Sequence, residues 1–461
     1  MINMTIDNIT KAVGGRLFTP DGWQKDDSRT ATGVYIDSRL VTEGSVFIAT
    51  KGERVDGHSF IPQVFEKGAL AVICEEVPDN YGGACIQVAD SFRALRELAA
   101  FYRDNLPVRV VGITGSVGKT STKEFIATVL EQHFNVCKTA GNFNNEVGMP
   151  LTILSAREGH EVLVLEMGIN HFGEMDRLSA IARPDVMVIT NIGMCHLEYL
   201  GDRDGVFKAK TECLPNLNDG ARVILNGDDD KLVRVDEVMG RKPVFFTRMS
   251  DKGDYRLISA RSLGLRGSRA KLAGADGGTI DVRIPLPGEH MISNALAAFA
   301  VGEAMGLSRD EISKGIEAVK ATNGRSNIID TGNLVLIDDC YNANPVSMKA
   351  AIDLLATADT RRVAVLGDMF ELGEEEALMH EEMGRYAADK GIELIIAVGS
   401  LSENIYKGAV EAGAGDRVRW YADNAGMITE IKSIFNNGDS VLVKASHGMH
   451  FEEILEELKK Y

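Results

Sequence analysis

Apolar runs of strand length that alternate with amphipathic segments dominate the middle of the chain. VRVVGIT, VLVLEMG, VMVITNIG and RVILNGD are each too apolar to have a wet face. Strands of this kind belong in a parallel sheet that helices cover on both sides. The pattern therefore predicts a central α/β unit in which strand, turn and amphipathic helix repeat.

This alternation changes character twice along the chain. Before residue 108 the strand-like pieces are shorter, namely GVYIDSR, SVFIAT and LAVICEE, and Gly, Asp and Pro separate them. After KATNGRSN at residues 320–327, the runs NLVLIDD, RVAVLGD, LIIAVGS and VLVKASH alternate with helical segments again. We predict three α/β domains with bounds 1–107, 108–321 and 322–461, which pack closely and move about short hinges.

The first domain is predicted to close with a helix. Asp90 or Ser91 can cap its N-terminus, and NLP at residues 105–107 ends it. The apolar face of this helix, at helical spacing, is formed by Phe92, Leu95, Leu98, Ala99 and Tyr102.

Length and composition agree with a globular protein of about three domains. Among 461 residues, 50 basic side chains stand against 67 acidic ones, which gives a net charge of −17. This excess of carboxylates repels a polyanionic backbone, so nucleic acid is not an expected partner. Six cysteines without a C-x-x-C pair fit a reducing compartment. The sequence shows no signal peptide and no run of about 18 apolar residues, so a cytoplasmic protein without a membrane partner is expected.

The segment GITGSVGKTSTKE, residues 112–124, has the design of a phosphate-binding loop. A strand ending at Thr114 leads through glycines to Lys119 and Thr120 at the start of a helix. In such a loop, backbone N–H groups surround the phosphates, the lysine reaches the terminal phosphates, and the threonine hydroxyl can bind Mg²⁺. The residues predicted to hold a nucleotide are Thr114, Gly115, Ser116, Val117, Gly118, Lys119, Thr120 and Ser121.

The loop departs from the strict pattern at one position. Glycine is required at position 113, where Ile113 stands, although G-x-x-G-K-T is intact. The alternative is a glycine-bearing turn with a surface lysine. The helix that follows is plausible, since it carries an apolar stripe of Phe125, Ile126, Val129, Leu130 and Phe134. The loop alone does not separate a kinase, a switch ATPase and a ligase.

Two further polar side chains follow predicted strands. Glu166 ends VLVLE, where ligands gather in open α/β sheets, and its carboxylate can hold Mg²⁺ there. A strand-end charge in solvent is the alternative. His196, in NIGMCHLEYLG, lies just beyond the next strand. A lone histidine is more often a structural hydrogen-bonding group than a metal ligand.

Taken in order, these segments resemble the Mur ligase family, ATP-dependent amide ligases that build the peptide of bacterial cell-wall precursors. DSRLVTEGSVFIATKGERVDGHSFI (37–61) is similar to the family's small uridine-nucleotide domain. TGSVGKTST, LEMGINHFGEM and TNIGMCHLEYLG are similar to its central P-loop ATPase domain, and DDCYNANPVSM and VLGDMFELG to its closing, Rossmann-like domain. The resemblance spans nearly the whole chain.

Within the family, GNFNNEVGMPLTIL (141–154), DCYNANP and GDMFELG are most similar to the member that adds D-alanyl-D-alanine to UDP-N-acetylmuramoyl-tripeptide. The resemblance implies that the tripeptide carboxylate attacks the γ-phosphate of ATP and that the dipeptide amine then displaces phosphate from the acyl phosphate. It also implies two Mg²⁺ ions, and a monomer is expected. The alternatives are another amino-acid-adding or polyglutamate-type ligase, a P-loop kinase or ATPase, and a module that only binds uridine nucleotides.

The resemblance also gives roles to single residues. Thr120 and Glu166 would hold the first metal ion, and His196 with a carbamylated Lys210 the second, a solvated Lys210 being the alternative. Arg325 at the hinge could reach the γ-phosphate when the third domain closes. A solvated hinge arginine is the alternative.

The remaining contacts implied by the resemblance fall into two groups. The nucleotide would also touch His290, Asn294, Asp339, Tyr341 and Asn342, although Met291 stands where asparagine is expected. The substrate contacts would come from Ser38, Arg39, Asn142, Asn144, Asn145 and His447, the last in place of a usual arginine. For the residues of the first domain and for the asparagines, an ordinary turn is the alternative.

Overall fold

The structure is a computed structural model that describes residues 1–461 except positions 24, 25, 27, 28, 53 and 80. Position 53 belongs to the stretch 37–61 discussed above and lies outside the described residues. The described residues form three sheets, one in each part of the chain predicted to be a domain. The predicted three-domain α/β fold class is confirmed, whereas the domain bounds stay a prediction.

The N-terminal sheet is small and mostly parallel. Its strand order is β1-β5-β4-β3-β2, with β1 antiparallel to β5. Its elements are α1 (Ile6–Ala12), β1 (Arg16–Phe18), β2 (Val34–Tyr35), β3 (Val46–Ile48), α2 (Ile61–Glu66), β4 (Ala71–Cys74), β5 (Ala84–Gln87) and α3 (Ser91–Asn105). The predicted cap and end of α3 are confirmed, since Asp90 accepts a hydrogen bond from the Arg93 N–H and the helix ends at Asn105. On its predicted apolar face, Phe92 alone is only half-buried.

The central sheet brings the predicted apolar strands side by side. The strand order is β14-β13-β12-β11-β10-β9-β6-β8-β7. All strands from β6 to β12 run parallel to their neighbours within this group. The strands are β6 (Arg109–Thr114), β7 (Val136–Lys138), β8 (Val162–Glu166), β9 (Val186–Ile189), β10 (Arg222–Asn226), β11 (Val244–Thr247), β12 (Tyr255–Ser262), β13 (Ser268–Ala273) and β14 (Thr279–Ile284). The helices are α4 (Lys119–Leu130), α5 (Gly148–Ser155), α6 (Glu174–Ala182), α7 (Leu197–Leu200), α8 (Arg203–Thr211), α9 (His290–Ala304) and α10 (Arg309–Ala318).

Five strands of this sheet were missed by the sequence analysis, namely the short strands β7 and β11 and the three strands at one edge. β12, β13 and β14 pair antiparallel, and β14 alternates exposed and buried residues. Alternation of this kind marks a sheet with one wet face, so TIDVRI carried a signal that a search for wholly apolar runs does not find. The last residue of the apolar stripe predicted for α4, Phe134, is not in the helix, because α4 ends at Leu130.

The C-terminal sheet has the strand order β15-β16-β20-β17-β18-β19, and β15 alone among these described strands runs antiparallel to its neighbour. The strands are β15 (Asn327–Asp330), β16 (Val335–Asp338), β17 (Arg362–Gly367), β18 (Leu394–Val398), β19 (Val418–Tyr421) and β20 (Ser440–Lys444). The helices are α11 (Pro345–Leu355), α12 (Glu376–Asp389), α13 (Glu403–Glu411), α14 (Asn424–Thr429), α15 (Ile431–Ile434) and α16 (Glu452–Lys459).

Hydrophobic cores cover both faces of the central sheet. One core lies under α4 and α9 and includes Phe125 and Leu296. The other is shared with the N-terminal domain, because Tyr102 of α3 belongs to the same cluster as Leu163 and Met187. The C-terminal sheet has separate cores on its own two faces. In the part of the chain that the structure describes, no helix is both long and apolar enough to cross a membrane.

Gly384 of α12 and Gly408 of α13 set the close approach of these two helices. An added Cβ at Gly384 would collide with the carbonyl oxygen of Ile405. We expect Gly384→Ala to lower the free energy of unfolding by about 1–3 kcal/mol, because overpacking forces the helices apart. Urea denaturation checks this. The control Gly426→Ala in α14, where the nearest atom would lie 3.4 Å from the new Cβ, should be neutral, and equal losses in both variants would contradict the prediction.

Candidate functional site

A cleft of about 1130 Å³ separates the central domain from the C-terminal domain. Its floor is the carboxyl edge of the central sheet, where ligands bind in open α/β sheets. Of the residues predicted from sequence, those that line it are Ser116, Val117, Gly118, Lys119, Thr120, Ser121, Asn142, Asn144, Asn145, Glu166, His196, His290, Asn294, Arg325, Asp339, Tyr341 and Asn342. The predicted residues outside its wall are Thr114, Gly115, Lys210, Ser38, Arg39 and His447.

The loop at residues 115–118 is bound tightly to the segment that follows β9. Ser116 N–H donates to the Asn191 carbonyl at 3.0 Å, and Val117 N–H donates to Asn191 Oδ1 at 3.0 Å. Thr190 Oγ1 in turn donates to the Val117 carbonyl at 2.7 Å. Gly115 has a φ of +149°, and a Cβ there would collide with the Thr190 hydroxyl. The loop is therefore preformed, and the unpaired N–H groups of the first turn of α4 open onto the cleft.

Lys119 lies at the start of α4 with its ammonium group over this loop. Lys119 Nζ donates to the Gly115 carbonyl at 2.9 Å. Burial lowers the pKa of Lys119, the carboxylate of Glu166 opposes that shift, and the positive charge of Arg325 adds to it. Cations from two domains thus converge on one place, which suits a multiply charged anion.

Glu166 presents an unsatisfied oxygen at the end of β8. Its Oε1 accepts from Asn144 Nδ2 at 2.8 Å, whereas the buried Oε2 has no hydrogen-bond partner among the described residues. A buried carboxylate oxygen without a partner is costly, and a cation beside the Thr120 hydroxyl would satisfy it. Within the described residues, no group of three or more His, Cys, Asp and Glu side chains could hold a metal by itself. Any ion here would therefore take further oxygens from water or phosphate.

His196 and Lys210, predicted together as ligands of a second metal ion, differ in access to the cleft. His196 is the N-cap of α7 and has a φ of +51°. Its Nδ1 lies 2.7 Å from Glu371 Oε2 of the C-terminal domain, without an aligned hydrogen bond. The pKa of Glu371 is lowered by this imidazole. Lys210 of α8 is buried behind the wall, and burial lowers its pKa to about 8.

Two of the predicted nucleotide contacts, His290 and Asn294, lie near the start of α9, and most of the Asn294 amide is already hydrogen-bonded within the protein. Asn294 Oδ1 accepts from Thr122 Oγ1 at 3.0 Å, and Nδ2 donates to Met291 Sδ at 3.4 Å. The bond to Thr122 fixes α9 to α4, whereas Met291 belongs to α9 itself. His290 also faces the cleft, and burial lowers its pKa. Asn294 therefore positions helices in this structure, and one amide hydrogen is left for a ligand.

Turns account for several of the predicted substrate residues. Asn145 Oδ1 accepts from the N–H groups of Val147 and Gly148 at the start of α5. Arg39 is highly exposed, and its guanidinium pairs with Asp37 at 2.7 Å. Ser38 is buried, and its carbonyl accepts from Lys67 Nζ at 2.8 Å.

The residues of the cleft that the sequence analysis missed include Asn191, Glu371 and Lys444. Lys444 ends β20 and donates to Asp339 Oδ2 at 2.5 Å and to the Asn342 carbonyl at 2.9 Å. It follows an apolar strand just as Glu166 does, so the rule that singled out Glu166 could have found it. Glu371 carried no such signal, because a contact between domains is not visible in sequence.

Comparison with known proteins gives a consistent picture over the whole chain. Three family models match: the Mur ligase family, catalytic domain at residues 30–111, the Mur ligase middle domain at 113–302, and the Mur ligase, glutamate ligase domain at 324–447. The chain is 38% identical to the UDP-N-acetylmuramoyl-tripeptide–D-alanyl-D-alanine ligase of Bacillus subtilis over 99% of both chains. The Escherichia coli ligase of that name is 35% identical over 100% of this chain and 99% of its own.

Solved structures agree with these matches. A crystal structure of MurF from Acinetobacter baumannii superposes with a TM-score of 0.89 at 32% identity, covering 99% of each chain. A MurF ligase from Thermotoga maritima in complex with ADP has a TM-score of 0.82 at 30% identity, covering 93% of this chain and 97% of its own.

The lowered pKa of Lys210 predicts a pH dependence of stability. Because the folded-state pKa of about 8 is below the ordinary value of 10.5, the unfolded chain binds more protons between these values. The free energy of unfolding should therefore rise with pH over this window, by a quantity on the order of 3 kcal/mol. Lys210→Met should remove the rise in denaturant titrations at several pH values in bicarbonate-free buffer. Exposed Lys314→Met is the control, and an unchanged pH slope in Lys210→Met would refute the prediction.

Proposed function

The chain belongs to the Mur ligase family, and from this premise we propose that it joins D-alanyl-D-alanine to UDP-N-acetylmuramoyl-tripeptide in an ATP-dependent step of peptidoglycan precursor synthesis. The observation that carries the proposal is the match, over at least 99% of this chain, to ligases whose names state these substrates. The preformed loop and the converging cations of the cleft support a triphosphate as the driving reactant.

The proposed reaction has two steps. The terminal carboxylate of the tripeptide attacks the γ-phosphorus of ATP, so that ADP leaves and an acyl phosphate forms. The amine of the dipeptide then attacks the acyl carbon, an amide bond forms, and inorganic phosphate leaves. The first turn of α4 and Lys119 would hold the phosphates, and Arg325 would stabilise charge on the group in transfer. Closure of the C-terminal domain would exclude water, which otherwise hydrolyses the acyl phosphate.

The residues present also fit the magnesium ions that we propose. The unpartnered Oε2 of Glu166 and the Thr120 hydroxyl would hold one ion. His196 and Lys210 would hold a second, provided that the Lys210 amine is converted to a carbamate by CO₂. A pKa of about 8 favours this, since only the neutral amine reacts. Bound Mg²⁺ would neutralise charge on the phosphate oxygens.

The other proposed contacts follow the position of each residue. Ser38 and Arg39 of the N-terminal domain would bind the uridine diphosphate, and Asn142, Asn144, Asn145 and His447 would face the peptide or the dipeptide. Ser116 to Ser121, His290, Asn294, Asp339 and Asn342 would surround the nucleotide, with Thr114 and Gly115 behind them and Tyr341 against Arg325. The domain bounds 1–107, 108–321 and 322–461, a monomeric state and a cytoplasmic location complete the proposal.

Phosphate release separates a ligase from a kinase or an uncoupled ATPase. With ATP, Mg²⁺ and the UDP-linked tripeptide, we expect release of inorganic phosphate to depend on D-alanyl-D-alanine, with one phosphate for each dipeptide consumed. Single D-alanine is the matched control and should support little release. The proposal would be overturned if the rate of phosphate release were the same with and without the dipeptide. A stable phosphorylated product would also overturn it.

Removal of the loop cation should abolish turnover. We expect Lys119→Ala to lower kcat by at least about 10²-fold, since one positioned cation on a transferring phosphoryl group supplies several kcal/mol. Lys314→Ala removes an exposed lysine that pairs with Asp310 on α10 and should leave kcat unchanged. Full activity of Lys119→Ala would exclude the proposed phosphate site, and the melting temperature of each variant shows whether it is folded.

A further inference from the structure

The turn that carries Arg325 is bound to the C-terminal sheet. Gly324 N–H donates to Asp338 Oδ2 at 2.8 Å, and Ser326 N–H donates to Asp339 Oδ1 at 2.9 Å. Tyr341 N–H donates back to the Gly324 carbonyl at 3.2 Å. The residues on both sides of Arg325 are thus hydrogen-bonded to the end of β16 and to the residue after it. The turn therefore moves with the C-terminal domain.

Two features make this attachment rigid. Gly324 has a φ of +72°, and an added Cβ would lie 2.9 Å from Tyr341 Cβ, so glycine allows the tyrosine to approach the turn. Asp339, which holds Ser326, is itself fixed by the buried Lys444 at 2.5 Å. The backbone beneath Arg325 and Tyr341 is therefore a single packed unit.

The side chain of Arg325 is restrained by an aromatic ring. Its guanidinium carbon lies 4.0 Å from the centroid of the Tyr341 ring. The imidazole of His447 also stacks on Tyr341, at 5.5 Å between centroids and 26° between planes. No carboxylate of the described residues lies within ion-pair distance of Arg325. A guanidinium that stacks through its face keeps its N–H groups free for an anion.

We propose that Tyr341 is a positioning residue that aims the Arg325 guanidinium at the terminal phosphate of the bound nucleotide. The expectation from sequence was that Tyr341 touches the nucleotide itself. In the structure its ring is used by Arg325, which lines the cleft with Lys119. This inference rests on the proposed function only in that ATP occupies the cleft.

A double-mutant cycle on nucleotide affinity tests the inference without requiring turnover. The probe is a non-hydrolysable ATP analogue with Mg²⁺, and ADP with Mg²⁺ is titrated in parallel. We expect Arg325→Ala to weaken binding of the analogue by about tenfold and Tyr341→Leu by about threefold to tenfold. Because Tyr341 acts through Arg325, Tyr341→Leu should cause no further loss in the Arg325→Ala background. ADP, which lacks the terminal phosphate, should bind all variants alike.

Conservative and control variants test whether the aromatic ring of Tyr341 is what Arg325 requires. Tyr341→Phe keeps the ring and should bind the analogue nearly as the wild type does. Tyr386→Leu removes a ring that contacts Lys349 and Lys390 away from the cleft and should change no affinity. A loss for Tyr341→Leu that persists in the Arg325→Ala background, or that is equal for ADP, would overturn the inference.

The outcome also separates this inference from the proposed function. If phosphate release is independent of the dipeptide but the double-mutant cycle shows coupling between Tyr341 and Arg325, the ligase proposal fails and the positioning role stands. If the ligase activity is present and Tyr341→Leu lowers neither the affinity for the analogue nor kcat, the positioning role fails alone.

Discussion

The attachment of the glycine loop to the segment after β9 is the constraint on which the cleft depends. β6 lies between β8 and β9 in a parallel sheet, so the loop after β6 emerges with Glu166 on one side and Thr190 on the other. Val117 then fixes the loop, because its carbonyl accepts a hydrogen bond from Thr190 Oγ1 and its N–H donates to Asn191 Oδ1. Because the loop is already shaped, binding of a triphosphate does not have to supply the entropy of ordering it.

Basic side chains gather beside the glycine loop, although the chain as a whole is acidic. The protein carries a net charge of −17, yet Lys119 and Arg325 converge on the loop and Lys210 lies buried behind it. Burial and neighbouring positive charge both destabilise the charged form of a lysine. The pKa values of Lys119 and Lys210 are therefore lowered. A bound polyanion would offset the repulsion between these cations and their loss of water. The arrangement of cations in the free protein therefore favours binding of a polyanion.

The domains are coupled to one another in different ways. The N-terminal domain shares a continuous apolar core with the central sheet through α3, and such an interface resists sliding because it is closely packed. The C-terminal domain meets the central domain across the cleft, through the contact between His196 and Glu371 and through a few partly buried apolar side chains, Met194, Leu197 and Leu265, that pack against its core. The same domain carries Arg325 on a turn fixed to its own sheet. This smaller contact suits closure of the C-terminal domain, and the fixed turn suits delivery of a cation by that closure.

The sequence by itself determined the α/β class, the central parallel strands, the limits of α3, and the loop with Lys119 and Glu166, because strand apolarity, capping residues and glycine turns are local. It did not reveal the antiparallel strands β12 to β14, the burial of Lys210, or the partners of Asn294, Arg325 and Tyr341. The partner of Asn294 on α4 depends on segments that are remote in the chain, as between Thr122 and Asn294. Arg325 and Tyr341 are close in sequence, but their contact depends on how the turn before β15 packs against the end of β16. Only the tertiary structure decides whether a polar side chain faces a ligand or is already satisfied by the protein, since that choice is made by the neighbours that the fold supplies.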